Sequence, residues 1–216
     1  DVLIAIYLGS GPIADAFFVA FRIPNTFRRL FSEGTFNAAF VPSYSSELVL
    51  GKKRSEKFAN KIFNLLLIGL LLIVLIIEIF MPSFIFIIAP GFSDNSDKLD
   101  LTISLTRITF PFLLFVSLSS FFSAVLNSHN KFAVASAAPI ILNIFLILVL
   151  IFQSYLKDDL VIYLSYAVTF AGIIQLIFLL FFIRKFYFPI IKFNFTIDDK
   201  VKLFFKKLLP SIFSSG

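Results

Sequence analysis

The sequence contains no cysteine and only one histidine, His129, among its 216 residues. Without cysteine there is neither a disulfide framework nor a thiolate metal site, and a single histidine excludes a multi-histidine metal cluster. We therefore expect no bound metal and no cofactor. His129 lies in a short polar segment, NSHNKF, and is expected to be solvated.

Charged residues are scarce as well. They make up 15% of the chain, whereas a soluble domain carries about 25%, and apolar residues reach 59% with a mean hydropathy of +0.97. A soluble fold of this size could not cover its surface with so few polar side chains, so the composition predicts a membrane protein. The net charge of +6 does not indicate a nucleic-acid partner, because the basic residues lie in short segments between apolar runs.

Four apolar runs are long enough to cross the bilayer as helices, which requires roughly 20 residues. They are 62–81, 101–126, 133–153 and 160–183. The N-terminal region, 1–50, must hold the end of one span and a whole second span, and 203–216 begins another. Helices are expected throughout, because open strands would leave backbone groups unpaired in lipid. We predict an all-α, polytopic transmembrane helical bundle, with residues 1–216 forming a single transmembrane domain truncated at both ends.

The connections between these runs alternate in charge. The segments 51–61, 127–132 and 184–202 are basic, whereas acidic residues outnumber basic ones in 89–100 and 154–159. Basic connections lie on the cytoplasmic side by the positive-inside rule. We therefore place the first three segments inside and the other two outside.

The segment 12–42 combines a spanning length with an unusual number of charges. Its sequence, PIADAFFVAFRIPNTFRRLFSEGTFNAAFVP, contains Asp15, Arg22, Arg28, Arg29 and Glu33. One charge at the bilayer centre costs about 2.5–3.5 kcal/mol, so five charges facing lipid would cost on the order of 12–17 kcal/mol. We therefore expect these side chains to face a water-filled cavity, to pair with one another or to lie at an interface.

Helical phase favours a water-filled cavity or pairing of these charges with one another. At 100° per residue, all of these charged residues except Arg28 lie within about 40° of one another. Asn25 and Thr26 flank the same stripe. Arg28 lies off the stripe on a more apolar side, and a kink at Pro24 could swing it into the cavity.

The arginines of this segment also have a simpler explanation. They would form a stop-transfer cluster whose long side chains extend to the cytoplasmic interface. The weakness of this alternative is position, because apolar sequence continues from 35 to 41 and the strongly basic connection, 51–61, comes later. We favour the cavity interpretation.

The same segment carries a family resemblance. The run GPIADAFFVAFRIPNTFRRLFSEGTFNAAFVP, residues 11–42, resembles the signature of the MurJ/MviN family of lipid II flippases, DAFFVAF-x-(I/L)-PN-xx-RR-x-F-(A/S)-EG-xF-xx-AFVP. Three later runs fit the family in the same order: APGF at 89–92, FPFLLFVSLSSFFSAVLNSHNKFAVASAAPIILNI at 110–144 and LP at 209–210. The resemblance therefore covers essentially the whole chain.

The resemblance implies both a fold and a function. Members belong to the multidrug/oligosaccharidyl-lipid/polysaccharide exporter superfamily and have two helical lobes around a central cationic cavity. This chain would supply most of the N-terminal lobe of such a two-lobed flippase, namely the end of span 1, spans 2–6 and the start of span 7. Lipid II, the undecaprenyl-pyrophosphate-linked peptidoglycan precursor, would move from the cytoplasmic to the periplasmic leaflet of the bacterial inner membrane. Such a transporter breaks no bond, so an enzyme is not expected.

The resemblance also implies which side chains line the cavity. Asp15 and Arg28 match charged positions of the family's second span, and Asp1 matches an acid that follows a cavity arginine in the first. The expected substrate-binding set is Asp1, Asp15, Arg22, Asn25, Arg28, Arg29 and Glu33. Arginine suits a pyrophosphate, because its planar guanidinium holds phosphate oxygens in a bidentate way.

The expected partners are lipid II, the surrounding membrane lipids and proteins of cell-wall synthesis, with no nucleic acid. Two alternatives stay open. One is a polysaccharide-lipid or drug/cation exporter of the same superfamily, against which the RR-x-F-x-EG block argues. The other is a non-transporting membrane scaffold of cell-wall assembly, in which the intramembrane arginines would be dispensable.

Overall fold

The structure, a computed structural model, describes residues 2–32, 35–156, 159–191 and 198–214, with side chains for 3–26, 36–155, 159–191, 198–206 and 208. Within these ranges the chain is helical and contains no strand. The helices are α1 (Val2–Leu8), α2 (Pro12–Ser32), α3 (Thr35–Val49), α4 (Lys52–Ile79), α5 (Met81–Ile88), α6 (Ser96–Thr109), α7 (Phe112–Ser128), α8 (Phe132–Ala137), α9 (Ile140–Ile151), α10 (Gln153–Leu156), α11 (Leu160–Ile183) and α12 (Asp199–Ser214).

Four helical stretches of the described chain are long and apolar enough to cross a membrane. They are Lys52–Ile79, Ser96–Ser128, Phe132–Ile151 and Leu160–Ile183, and each overlaps one of the predicted spans. The prediction of an all-α bundle of transmembrane helices is confirmed. The prediction that the basic segment 51–61 is a connection is wrong for most of its length. From Lys52 onward the segment forms the first turns of α4. Gly51 separates α3 from α4 at φ 124°, a backbone conformation open in practice only to glycine.

Pro111 divides the second of these stretches into α6 and α7. Proline lacks the N–H that a helix needs at this point, and its ring crowds the preceding turn. Close to the break, the Thr169 hydroxyl of α11 donates a hydrogen bond to the Ile108 carbonyl oxygen. Side-chain hydroxyls commonly satisfy such carbonyls inside membranes. The bond also fastens α11 to α6.

Helix α7 lies at the centre of the bundle, in contact with α2, α3, α4, α8 and α11. Its aromatic residues Phe121 and Phe122 are buried with Phe40 of α3 and Phe63 of α4. The outer surfaces of α4 and α9 are apolar and exposed, as in Leu72 of α4. Exposed apolar surfaces of this extent mark contact with lipid or another partner.

The three connections predicted to share the cytoplasmic side meet at one end of the bundle. In the turn after α7, the His129 ring stacks on the ring of Phe186, with 4.5 Å between their centroids. In the first turns of α4, the Asn60 side-chain oxygen accepts a hydrogen bond from the Tyr187 hydroxyl at 2.7 Å. Because Phe186 and Tyr187 both follow α11, the segment after α11 contacts the other two connections. We call this end of the bundle the basic end.

Candidate functional site

Helix α2 runs through Pro24 without a break. Its buried face includes Ala16, Phe17 and Ala20, which pack against α6 and α7. Small residues such as alanine let helices approach closely inside membranes. Pro24 leaves the carbonyl oxygen of Ala20, four residues earlier, without its helical donor. The Thr109 hydroxyl of α6 replaces that donor at 2.9 Å, so the helix can continue.

The opposite face of α2 is not covered by other described helices. Asp15, Arg22 and Thr26 are exposed, and they lie on one stripe at helical spacing. The Thr26 hydroxyl donates a hydrogen bond to the Arg22 carbonyl oxygen at 2.9 Å. The predicted alignment of Asp15 with Arg22 is therefore observed, on the side of the helix that faces away from the core.

Asp15 pairs with a residue that the sequence did not single out. Its Oδ2 atom lies 2.6 Å from Nζ of Lys98, whose side chain is only 17% exposed. Lys98 also lies over the Phe92 ring, 3.9 Å from its centroid. Lys98 belongs to α6 and is 83 positions from Asp15, so no spacing in the sequence indicates the pair. The acidic end of the stripe is thus fixed to the start of α6, within the segment 89–100 that is predicted to lie outside.

The remaining members of the expected set are placed only in part. Asn25 is half-buried on α2. Arg28 and Arg29 belong to α2, but their side chains lie outside the described residues, and so do Asp1 and Glu33 as a whole. The structure therefore brings Asp15 and Arg22 onto one exposed face, with Asn25 beside them.

A polar cavity of about 170 Å³ lies between α3, α7, α8 and α11. Asn37, Ser119, Ser120, Ser123 and Gln175 contribute to its lining. The Asn37 Oδ1 and Ser119 Oγ atoms are buried and have no hydrogen-bond partner among the described residues. Small residues at this spacing are typical of close helix packing, so the sequence does not indicate the cavity. Its size and polarity suit bound water molecules rather than a pyrophosphate.

The chemistry that the described residues support is anion binding. In the described ranges no three His, Asp or Glu side chains are grouped so that they could hold a metal ion. Arg22 presents a permanent positive charge on an open helix face. A charge within an otherwise apolar membrane helix costs several kcal/mol unless it faces water or a partner, so such residues commonly mark a substrate or ion pathway.

Comparison with known proteins points to one family. A family model described as "Lipid II flippase MurJ" matches residues 4–216. A probable lipid II flippase MurJ of Rickettsia prowazekii is 40% identical over 219 residues, covering 100% of this chain and 42% of that protein. One from Rhizobium tropici is 44% identical over 181 residues, covering 82% of this chain and 34% of that protein.

Solved structures agree with these matches. A structure of lipid II flippase MurJ in an inward closed conformation superposes with a TM-score of 0.77 at 27% identity, covering 99% of this chain and 43% of that one. A transporter of the MOP superfamily from Pyrococcus furiosus shares the fold, with a TM-score of 0.67 at 18% identity and coverage of 99% and 48%. The chain spans less than half the length of these relatives.

Proposed function

The chain belongs to the MurJ family of lipid II flippases, and on that premise we propose that it forms the N-terminal lobe of a lipid II flippase. Its four apolar spans make it a membrane protein. In the complete protein this lobe would be one transmembrane domain, comprising the end of span 1, spans 2–6 and the start of span 7. The complete protein would move lipid II from the cytoplasmic to the periplasmic leaflet of the bacterial inner membrane.

The observation that carries this proposal is the open, charged face of α2. Asp15 and Arg22 are exposed there, while the opposite face of the helix is packed into the bundle. A pyrophosphate cannot cross hydrocarbon unaided, because an unpaired anion in a low-dielectric medium is very costly. A hydrated cleft lined by arginines would carry the head group across while the polyprenyl chain stays in lipid. Rocking of the two lobes around such a site would alternate its access.

The seven expected residues would have different roles in this site. We assign the direct head-group contact to Arg28, and a contribution to the cationic field to Arg22 and Arg29. Asp15, held by Lys98 at 2.6 Å, would set the outer limit of the cationic stripe. The other members of the set, Asp1, Asn25 and Glu33, would orient the arginines. Because no bond is made or broken in this process, the protein would act as a transporter and not as an enzyme.

The alternatives receive less support. The matched family and the two curated relatives above are lipid II flippases, which does not favour a drug/cation or polysaccharide-lipid exporter. The superfamily transporter from Pyrococcus furiosus supports the fold alone at its level of identity. The other alternative, that this protein is a non-transporting membrane scaffold of cell-wall assembly, requires a direct test.

Complementation of a flippase-depleted bacterium by the full-length protein provides that test. Arg28→Ala should abolish growth while the protein still inserts into the membrane. Arg28→Lys should restore growth only in part, because an ammonium keeps the charge but loses the planar fork. Arg184→Ala, which removes an arginine just after α11, is the matched control and should support normal growth.

The scaffold and stop-transfer explanations predict the opposite pattern. As a stop-transfer residue Arg28 could be replaced by lysine without loss, since lysine also extends to the interface. In a scaffold Arg28 would be dispensable altogether. Full growth with both Arg28→Lys and Arg28→Gln, at unchanged membrane levels on immunoblots, would rule out the head-group role.

A further inference from the structure

A second cationic site lies at the basic end, away from the exposed face of α2. Helices α3, α4 and the start of α12 surround a cavity of about 250 Å³ there. Its lining consists of Glu47, Arg54, Lys57, Phe58, Lys61, Asp198 and Lys200. Four of these side chains are cationic and two are carboxylates, so the cavity carries a formal excess of two positive charges.

Both carboxylates are already paired. Lys61 Nζ lies 2.6 Å from Asp198 Oδ2, and Lys200 forms an ion pair with Glu47. The hydrogen bond from Lys61 lowers the pKa of the Asp198 carboxyl, so that pair remains ionised at neutral pH. The two pairs fasten the start of α12 to α3 and α4.

Arg54 and Lys57 supply the excess charge. Both are exposed, and within the described ranges neither forms an ion pair with a carboxylate. They lie one turn apart near the start of α4, so both can reach one ligand at the cavity mouth. An arginine and a lysine at this spacing suit a phosphate group.

Next to this cationic cavity along α4 lies an apolar one, and we call the two cavities together the groove. A second cavity of about 170 Å³ begins at Ile62, the residue after Lys61 on α4, and lies between the same helices. Its lining is entirely apolar: Phe36, Ile62, Leu65, Leu66, Gly69, Leu70, Ile73, Phe204, Phe205 and Leu208. Ile73 is 41% and Phe205 39% exposed, so the groove opens on the outer surface of the bundle.

We propose that this groove between α4 and α12 binds an anionic glycerophospholipid of the cytoplasmic leaflet. Its phosphate would lie between Arg54 and Lys57, and its acyl chains would follow α4 from Ile62 to Ile73. The order of the two cavities matches the order of groups in such a lipid, with the charged group at the membrane surface and the chains deeper. Basic pockets between transmembrane helices on the cytoplasmic side are a known way to hold anionic head groups. This inference requires the basic end to be cytoplasmic, but it does not require lipid II transport.

The test measures lipid retained by the full-length protein. The protein is purified from vesicles of equal parts phosphatidylglycerol and phosphatidylcholine, and native mass spectrometry counts the bound lipids. Arg54→Gln combined with Lys57→Gln should lower retained phosphatidylglycerol at least about tenfold, as expected for the loss of charged hydrogen bonds. Lys52→Gln combined with Lys53→Gln is the matched control, since it removes the same charge from the same segment but outside the cavity. That control should change retention by less than about twofold.

A second variant separates a lipid from free phosphate. Gly69 lies in the apolar part of the groove, and a Cβ atom added there meets none of the described atoms within 4 Å. Gly69→Leu should therefore fill the groove without disturbing the fold, and should weaken phosphatidylglycerol retention while leaving inorganic phosphate binding unchanged. Normal phosphatidylglycerol retention by Gly69→Leu would overturn the proposal in favour of a phosphate site alone. Equal losses in the two double variants, or equal retention of both lipids by the parent, would overturn it in favour of general surface charge.

Discussion

At the scale of single residues, His129 shows how three distant segments create one environment. Its ring stacks on Phe186, and its Nε2 atom is hydrogen-bonded to the Tyr44 hydroxyl at 3.2 Å. Partial burial, and then the nearby positive charge of Lys52, lower the pKa of the imidazole below its usual value of 6.5. The folded protein therefore favours the neutral ring.

This shift predicts a loss of stability in acid. Between about pH 6.5 and the lowered pKa, the unfolded chain binds a proton that the folded chain does not, so stability falls as the pH falls through that interval. The melting temperature of the full-length protein in detergent should drop between about pH 7.5 and about pH 5.5. His129→Asn should make that drop smaller, because the substituted side chain does not titrate. An unchanged drop in His129→Asn would assign the pH dependence to other groups.

Residue environments of this kind could not be predicted from the sequence. His129 was expected to be solvated because its neighbours in the chain are polar, whereas the structure packs it against Phe186, 57 positions later. The pair of Asp15 with Lys98 has the same origin. In both cases the partner comes from tertiary packing, which local composition does not encode.

At the scale of helices, two glycines allow the packing to be tested, because one lies in a tight contact between helices and the other has open space beside it. Gly172 lies where α11 contacts α7, and a Cβ atom there would lie 2.6 Å from Cδ2 of Phe112 and 3.2 Å from Cβ of Phe115. Gly69 of α4 has open space at the same point. The same substitution should therefore have opposite effects at the two positions.

Gly172→Ala should destabilise the protein by about 1–3 kcal/mol, because the added methyl group displaces a buried ring in a packed interface. Gly69→Ala should stabilise it by about 0.5–1 kcal/mol, because alanine loses less backbone entropy in a helix. Thermal unfolding of the full-length protein in detergent compares the two variants with the parent. If Gly172→Ala melted at or above the temperature of Gly69→Ala, the close contact between α7 and α11 would be wrong.

The helices themselves were predictable to the extent that hydropathy defines them. Runs of apolar residues located the four spans, because the length of an apolar run is enough to identify a helix that crosses the bilayer. Their internal divisions were harder to locate. Pro24 does not end α2, because Thr109 of α6 supplies a hydrogen bond to the Ala20 carbonyl, and the kink expected at this position stays a prediction. Pro111, in contrast, ends α6.

At the scale of the whole molecule, the charge of the connections predicts which end of the bundle faces the cytoplasm. The contacts of His129 with Phe186, and of Asn60 with Tyr187, place three basic connections at one end. Lys98, in the connection predicted to lie outside, contacts Asp15 at the start of α2. These contacts agree with alternation of the connections between two sides.

Cysteine labelling in intact cells tests that orientation. Lys53 at the basic end and Ser96 at the start of α6 are both exposed, whereas the neighbouring Ser55 is fully buried and unsuitable. In a cysteine-free background of the full-length protein, Ser96→Cys should react with a membrane-impermeant maleimide from outside. Lys53→Cys should react only after the cells are opened. Reaction of both positions in intact cells would contradict the topology.

The exposed, charged face of α2 was predictable at this scale, and its role as a binding site stays a prediction. The cost of charge in a membrane indicated that α2 must face a cavity or a partner, and its Asp15 and Arg22 indeed lie on an unpacked face. The chain spans less than half the length of its relatives. Residues that would face α2 from the remainder of such a protein therefore cannot be derived from these 216 positions.

The most direct test of the central claim is the rate at which fluorescent lipid II crosses the membrane of vesicles that contain the purified full-length protein. The account predicts transfer between leaflets by the parent protein, and a rate about tenfold to a hundredfold lower for Arg28→Ala, the loss expected for a charged hydrogen bond to the head group. Equal rates for the parent and a correctly folded Arg28→Ala variant would contradict a transport pathway along α2.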